Sequence, residues 1–292
     1  MFARSFLALT LGVALSLSAC DSVDESSDEL TPAEVADVTQ IIAEAVAESS
    51  GGLFASAALA TSTVTEDGLE ATGSTVRGFA DGRDPVCGSG ATVNYDAETG
   101  THRVFFGCAV DTEFAQRDYE ANLFYQFRDA DGGFVADPAA DQGAVASVDF
   151  TGEADGTTFF ARGGIQTAAT FAQSGEWDIV GLDTDAASFT VRQERSGTTR
   201  RITGDAETAR AYDLDIAGDD IRIAAGPGGQ GRSAVGQLDV ELTVEVTRRG
   251  RTQDRRVEGT IDLGENGGAM LRLFGVETLY ALSLGDGTVT AQ

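Results

Sequence analysis

Apart from its many acids, this chain has few side chains that could take part in chemistry. It contains three cysteines, Cys20, Cys87 and Cys108, and a single histidine, His102. Neither Cys-x-x-Cys nor Gly-x-Ser-x-Gly occurs, so a redox pair, a zinc site and a serine hydrolase all lack their usual signatures. His102 begins a strand beside an acidic turn, and we expect it to be a solvent-facing structural residue.

The N-terminus has the layout of a secretory signal. A short positive start, Met1–Arg4, precedes an apolar run, Ser5–Leu17. That run of about 13 residues is shorter than the roughly 20 that cross a bilayer as a helix. It ends in Leu17-Ser18-Ala19-Cys20, which resembles the lipobox of bacterial lipoproteins. The resemblance implies that residues 1–19 are removed and that Cys20 carries lipid, which anchors the chain stably once two or three acyl chains are attached.

Residues 20–31 predict a lipidated cysteine followed by an acidic, disordered tether. Positions 21–29 hold five acids and three serines, which leaves too little apolar surface to bury. The acidity resembles the export tags of surface lipoproteins, whereas Asp21, directly after the lipidated cysteine, resembles an inner-membrane retention signal. We expect a lipid-anchored envelope protein, with the periplasmic or surface side of the outer membrane favoured over the inner membrane.

Charge narrows the range of partners. The formal net charge is −27, and it becomes one unit more negative when the signal and its single arginine are removed. Nucleic acid and anionic lipid surfaces are therefore poor partners, so we expect no nucleic-acid ligand and expect contact with the membrane through the N-terminal lipid. All twenty basic residues are arginine. A lysine-free, acid-rich surface favours adaptation to high salt over a merely acidic, soluble surface.

Cys87 and Cys108 form an even pair in a compartment where disulfides persist. The sequence between them predicts strand, turn and strand, with Gly100 in the left-handed position of the turn. If Asp96 pairs with Thr101, the two cysteines lie on the same face of the hairpin. We therefore predict a structural disulfide.

One helix is predicted near the start of the body, at about 32–49. Thr31 can cap it, Pro32 suits the first helical position and Glu34 completes a capping box. Gly51 and Gly52 are expected to end it. An apolar stripe recurs at helical spacing and should pack on the sheet, at Val35, Val38, Ile41, Ile42, Ala45 and Val46.

From Thr63 onward the apolar period is two. The alternation is clearest in residues 238–247, and roughly a dozen antiparallel strands follow the same rule. Clusters such as 129–133, 153–156, 195–197, 249–250 and 265–268 are expected to be turns. The fold class is all-β: a single domain, 32–292, built as a large antiparallel meander that is curled or barrel-like, with a two-sheet sandwich as the alternative.

No cofactor or metal site is expected. Gly226–Gly231 matches the letters of a dinucleotide fingerprint, but a strand follows it where the fingerprint needs a helix, so we expect a loop. Asp129, Asp131 and the pair Asp183 and Asp185 lack the spacing of a calcium loop. Trp177 could stack on a sugar, although a lone tryptophan in a strand more often packs in the core.

Two function classes remain open. The first is a non-catalytic envelope lipoprotein with a structural or binding role, whose curved sheet could hold an apolar ligand against the helix. The second is a carboxylate-based glycoside hydrolase or a carbohydrate-binding surface lipoprotein. The body resembles uncharacterised secreted β-rich lipoproteins. Because no residues converge on a reacting centre, the sequence favours the first class and a protein that is not an enzyme, with lipid or glycan as the ligand.

The predicted disulfide can be tested by thiol labelling of the purified protein under denaturing conditions. We expect Cys87 and Cys108 to react with a maleimide only after reduction. Replacing both with alanine should lower the free energy of unfolding by roughly 3 kcal/mol, the value for a closed loop of this length. Free reactivity of both thiols without reductant would contradict the pairing.

Overall fold

The computed structural model describes most of the body of the chain. The described residues are 30–47, 52–53, 56–57, 92–111, 115–138, 140–141, 143–162, 164–184, 187–204, 206–225, 232–248, 251–264 and 268–292. Cys20 and Cys87 lie outside these ranges, so the lipidation and the disulfide remain predictions.

The described body is one helix and one antiparallel sheet, which confirms the all-β meander. The strands follow one another in sequence order across the sheet, and the first and last strands are its two edges. They are β1 Thr92–Asp96, β2 Thr101–Asp111, β3 Ala115–Arg128, β4 Ser147–Arg162, β5 Ile165–Val180, β6 Ala187–Thr203, β7 Ala206–Ala225, β8 Arg232–Arg248, β9 Arg251–Leu263, β10 Ala269–Leu273, β11 Leu279–Leu282 and β12 Val289–Ala291.

The sheet has a buried inner face and a solvent-exposed outer face. In β8 the apolar residues predicted by alternation are all buried, while the residues between them are mostly exposed. Successive side chains of a strand point to opposite faces, so each strand contributes every second residue to one core. The largest fully buried side chains of that core are Tyr125, Phe127, Phe189, Ile42, Ile179, Leu214, Ile216, Ile221, Leu238, Leu242 and Ile261.

Helix α1, Pro32–Val46, begins with the predicted capping box. The Thr31 hydroxyl accepts a hydrogen bond from the backbone N–H of Glu34, and the Glu34 carboxylate accepts one from the N–H of Thr31. The predicted end near residue 49 is wrong, because Ala47 is already extended. The N–H of Gly52 donates to the carbonyl of Ala47 at 2.9 Å.

The sheet curls around this N-terminal segment. Gln193 and Arg195, both buried on the inner face of β6, donate hydrogen bonds to the carbonyls of Ala45 and Glu44 at 2.9 and 3.5 Å. Arg210 of β7 pairs with Asp37 on the same helix. The helix therefore lies against the middle of the inner face.

Residues 53, 56 and 57 also lie against the inner face, where Leu53 and Ala57 belong to the buried core. Tyr125 of β3 donates to the backbone carbonyl of Ser56 at 3.3 Å, and Trp177 of β5 donates to its hydroxyl at 2.9 Å. Gly287, in the turn before β12, faces Ala47 so closely that an added Cβ would lie 3.2 Å from the Ala47 Cβ. The N-terminal segment therefore contacts strands from β3 to the turn before β12. Contacts with both halves of one continuous sheet agree with the curled meander rather than with two facing sheets.

Two of the predicted turns are wrong. Residues 153–156 lie inside β4 and residues 195–197 lie inside β6. Their glycines mark close packing: a Cβ on Gly156 would meet Phe171 and the carbonyl of Asp118 within 2.9 Å, and one on Gly197 would lie 2.3 Å from the carbonyl of Thr170. Glycine in a strand can mean close approach of a neighbour rather than a bend.

The register predicted for the first hairpin is confirmed. Asp96 pairs with Thr101, Tyr95 with His102 and Val93 with Val104. Gly100, in the turn, has a φ of +67°, the left-handed region that glycine adopts without strain. The backbone of Cys108 lies opposite Tyr119 on β3.

The hydrogen bond from Gln193 to the end of α1 should be measurable as stability. We expect Gln193→Leu to lower the free energy of unfolding by about 1–3 kcal/mol, because it leaves the buried carbonyl of Ala45 without its donor. Glu194→Gln, one residue along and exposed on the outer face, is the matched control and should change stability by less than about 0.5 kcal/mol. Equal effects in urea denaturation would contradict this role of Gln193.

Candidate functional site

The outer face of the sheet carries a long, open hollow across β3–β7, which we call the outer trough. It consists of three adjoining parts of about 490, 630 and 400 Å³. The first two parts share four lining residues, and the second and third share Glu153, Ser174 and Glu194. Because the parts share walls, they form one continuous depression.

The four residues shared by the first two parts form a single cross-strand row, which we call the central row. Phe124 of β3 is opposite Thr151 of β4, Thr151 is opposite Glu176 of β5, and Glu176 is opposite Arg192 of β6. Neighbouring strands lie about 4.8 Å apart. The sheet register therefore places an aromatic ring, a hydroxyl, a carboxylate and a guanidinium at regular intervals across the trough.

The next row along the strands brings two carboxylates together. Asp149 of β4 is directly opposite Asp178 of β5. Asp149 is held by the guanidinium of Arg128 at 3.1 Å. Partial burial raises the pKa of Asp178, and the negative charges of Asp149, Asp219 and Glu176 raise it further. The row thus holds one paired carboxylate and one that takes up a proton more readily than an ordinary aspartate.

The aromatic end of the central row is supported from β2. The Arg103 guanidinium lies 5.6 Å from the centre of the Phe124 ring and donates to the side-chain carbonyl of Asn122 at 2.9 Å. A cation over an aromatic face is an attractive electrostatic contact. Arg103 therefore fixes the Phe124 ring at the wall of the trough.

Two glycines lie in register beneath the trough. Gly152 of β4 is opposite Gly175 of β5. A Cβ on Gly152 would lie 2.5 Å from the Phe150 ring and 2.9 Å from Leu123. Because there is no side chain at these positions, core side chains pack against the strand backbone that forms the floor of the trough.

The structure decides between the two interpretations of Trp177. Its ring is 3 % exposed, stacks on Phe150 with centroids 4.6 Å apart, and donates its N–H to the Ser56 hydroxyl. The side chain faces the inner core, while its neighbours Glu176 and Asp178 face the trough. The core interpretation is confirmed, and the ring cannot stack on a ligand in the trough.

The expectation that His102 faces solvent is wrong. The side chain is 4 % exposed, its ring lies 4.6 Å from Tyr95 and edge-on to Phe127 at 5.2 Å, and Nε2–H donates to the carbonyl of Val135 at 3.1 Å. The residue occupies the inner register of β2, so its partners lie in the core. Burial lowers the pKa of His102, against the smaller opposing effects of the Val135 carbonyl and the charge of Asp137.

The other sequence candidates do not join the trough. The Asp129 carboxylate accepts the backbone N–H groups of Asp131 and Gly133 at 3.0 and 2.7 Å, which is turn chemistry. Within the described ranges, no group of three or more His, Cys, Asp or Glu side chains is arranged to hold a metal ion. Residues 226–231 and Asp185 lie outside these ranges. A strand, β8, does follow the glycine-rich segment, as predicted.

The central row is not evident from the sequence, and none of its four residues is among the candidates named from the sequence. Alternation within one strand shows which residues face outward, but only the pairing of β3, β4, β5 and β6 shows which of them become neighbours.

Comparison with known proteins identifies no similar protein. No protein-family model matches the chain, and neither the curated proteins nor the solved structures contain a match. Among the residues that the structure describes, none of the helices is both long and apolar enough to cross a bilayer.

The lowered pKa of His102 predicts a loss of stability in mild acid. In the unfolded chain His102 takes up a proton near its reference pKa of 6.5, whereas in the folded chain it does so only at lower pH. The contribution of His102 to the free energy of unfolding is therefore fully present above pH 6.5 and is lost as the pH falls below it. The slope cannot exceed about 1.4 kcal/mol per pH unit for one proton. His102→Phe should remove this component between about pH 7.5 and 5.5 in denaturation experiments.

Because the chain has one histidine, its imidazole C–H resonances report this pKa directly by proton NMR. Titration at or above the value of the unfolded chain would contradict the prediction.

Proposed function

We propose that this chain is an envelope-anchored lipoprotein with a non-catalytic binding role, held by lipid on Cys20 and binding its ligand in the outer trough. The observation that carries the binding role is the division of the sheet: the chain's own helix lies on the inner face, while the central row stays on the outer face. The lipid on Cys20 inserts into the membrane, and the outer membrane is the favoured location.

The arrangement supports an apolar ligand on the inner face less well. Ile42, Ala45 and Val46 of α1 are fully buried there, and Gln193 and Arg195 of the sheet bond to the end of the helix. A lipid in this place would have to displace the helix and leave its terminal carbonyls without donors, at a cost of about 1–3 kcal/mol for each one.

The trough also supports binding better than glycoside hydrolysis. Hydrolases of this class hold one of their two carboxyl groups as an acid in an enclosed environment. Here Asp149 is half-exposed and tied to Arg128, Asp178 is only partly buried, and Trp177 points into the core. The side chains of the trough are therefore suited to holding a ligand by hydrogen bonds rather than to cleaving a glycosidic bond.

The anchored role can be tested in a cell that attaches lipid to exported proteins. We expect the full chain to incorporate radiolabelled palmitate and to fractionate with the envelope, because acyl chains on Cys20 supply the membrane affinity. Cys20→Ala should lose both the label and the envelope fraction, whereas Ser22→Ala, two residues later, should keep both. A labelled Cys20→Ala variant, or an unlabelled natural chain in the soluble fraction, would overturn the proposal.

A further inference from the structure

We propose that the ligand of the outer trough is a linear, uncharged polysaccharide. This rests on the proposed binding role of the same trough and gives its ligand class. Four features support it: the shape of the trough, the order of groups in the central row, the charges that border the trough, and its position in the middle of the sheet.

The shape suits a chain molecule. The three adjoining parts of the trough follow one another along the direction of strands β3–β6 rather than enclosing one compact volume. A compact small ligand would bury most of its surface in an enclosed cavity, which an open depression does not provide. A polymer instead gathers affinity from several shallow contacts in succession.

The groups of the central row suit sugar hydroxyls. Each hydroxyl is both a donor and an acceptor, as the side chain of Thr151 is. Glu176 accepts from such a group and Arg192 donates to it, and these charged partners form the stronger hydrogen bonds. Phe124, at the end of the row, offers an apolar ring to the C–H face of a sugar.

The charges of the trough exclude an anionic polymer. Glu153 and Glu194 border the second and third parts, and Asp149 and Asp178 border the first. A phosphate, sulfate or uronate chain would lie among these carboxylates and be repelled.

A peptide fits less well than a glycan. An extended peptide binds a sheet at an exposed edge, where backbone groups are free to pair with it. The trough lies over β3–β7, whose backbones are already paired with neighbours on both sides. Arg192, at the β6 end of the central row, would also repel the cations of a basic peptide.

The test is affinity gel electrophoresis of the full chain, extracted in a non-ionic detergent and run at about 0.1 M salt, where the Debye length of roughly 10 Å leaves the charges of the trough effective. The gels contain pullulan, mixed-linkage β-glucan, glucomannan or hydroxyethylcellulose, which have linear uncharged backbones, with alginate as the anionic comparison. We expect retardation by at least one uncharged polysaccharide and none by alginate.

Variants locate the binding. Glu176→Gln and Phe124→Ala should each weaken retardation about tenfold, the effect of losing one charged hydrogen bond or one stacking contact. Glu245→Gln on β8 and Phe274→Ala, both exposed away from the trough, are the matched controls and should bind as the natural chain does. All four positions are solvent-accessible, and unchanged unfolding temperatures will show that the fold persists.

Three outcomes would overturn the ligand class: no retardation by any of the four uncharged polysaccharides, equal binding by Glu176→Gln and Glu245→Gln, or binding of an arginine-rich peptide in place of a polysaccharide. Palmitate labelling distinguishes these failures from failure of the proposed function. If the chain is labelled and envelope-bound but binds no polysaccharide, only the proposed ligand class is overturned. If the chain is not labelled, the proposed anchored role is overturned.

Discussion

The rest of the structure depends on satisfying the buried C-terminal end of α1. The last carbonyls of a helix have no partners within it, and each one left unpaired in the core costs about 1–3 kcal/mol. Gln193 and Arg195 supply donors from β6, and Gly52 supplies one from the chain just after the helix. These bonds fix the position of β6 on the helix. Because every other strand is paired in sequence order outward from β6, they also fix the position of the sheet.

This constraint explains why an arginine lies in the core. Arg195 is 5 % exposed, stacks over Phe171 at 4.1 Å and bonds to Gln173 and Tyr212. The negative end of a helix dipole favours a cation beside it. With the inner face committed in this way to the protein's own helix, the residues free to meet a ligand are those of the outer face. This division is the basis of the proposed glycan trough.

The architecture could be predicted from the sequence because it follows from local signals. The capping box at Thr31 and Glu34, the alternation in β8 and the turn at Gly100 each depend on a few neighbouring residues, and all three appear as expected. The errors arise where a distant partner decides. In the sequence Gly156 and Gly197 resemble turn residues, but in the structure a neighbouring strand packs closely against each of them. His102 likewise resembles a surface residue, but Val135 and Phe127 bury it. The central row is invisible in the sequence for the same reason, since its four members come from four strands.

The contrast between short-range strand pairing and the long-range contact of α1 has a consequence for folding kinetics. Each strand pairs with its neighbour in the chain, so the sheet has a low contact order and can zip together from successive hairpins. The bond from Gln193 to Ala45 instead joins residues 148 positions apart. A helix of 15 residues is marginal on its own in water and gains stability mainly by packing. Docking of α1 therefore requires β6 to have formed, so the earliest element of the described part of the chain is among the last to become stable.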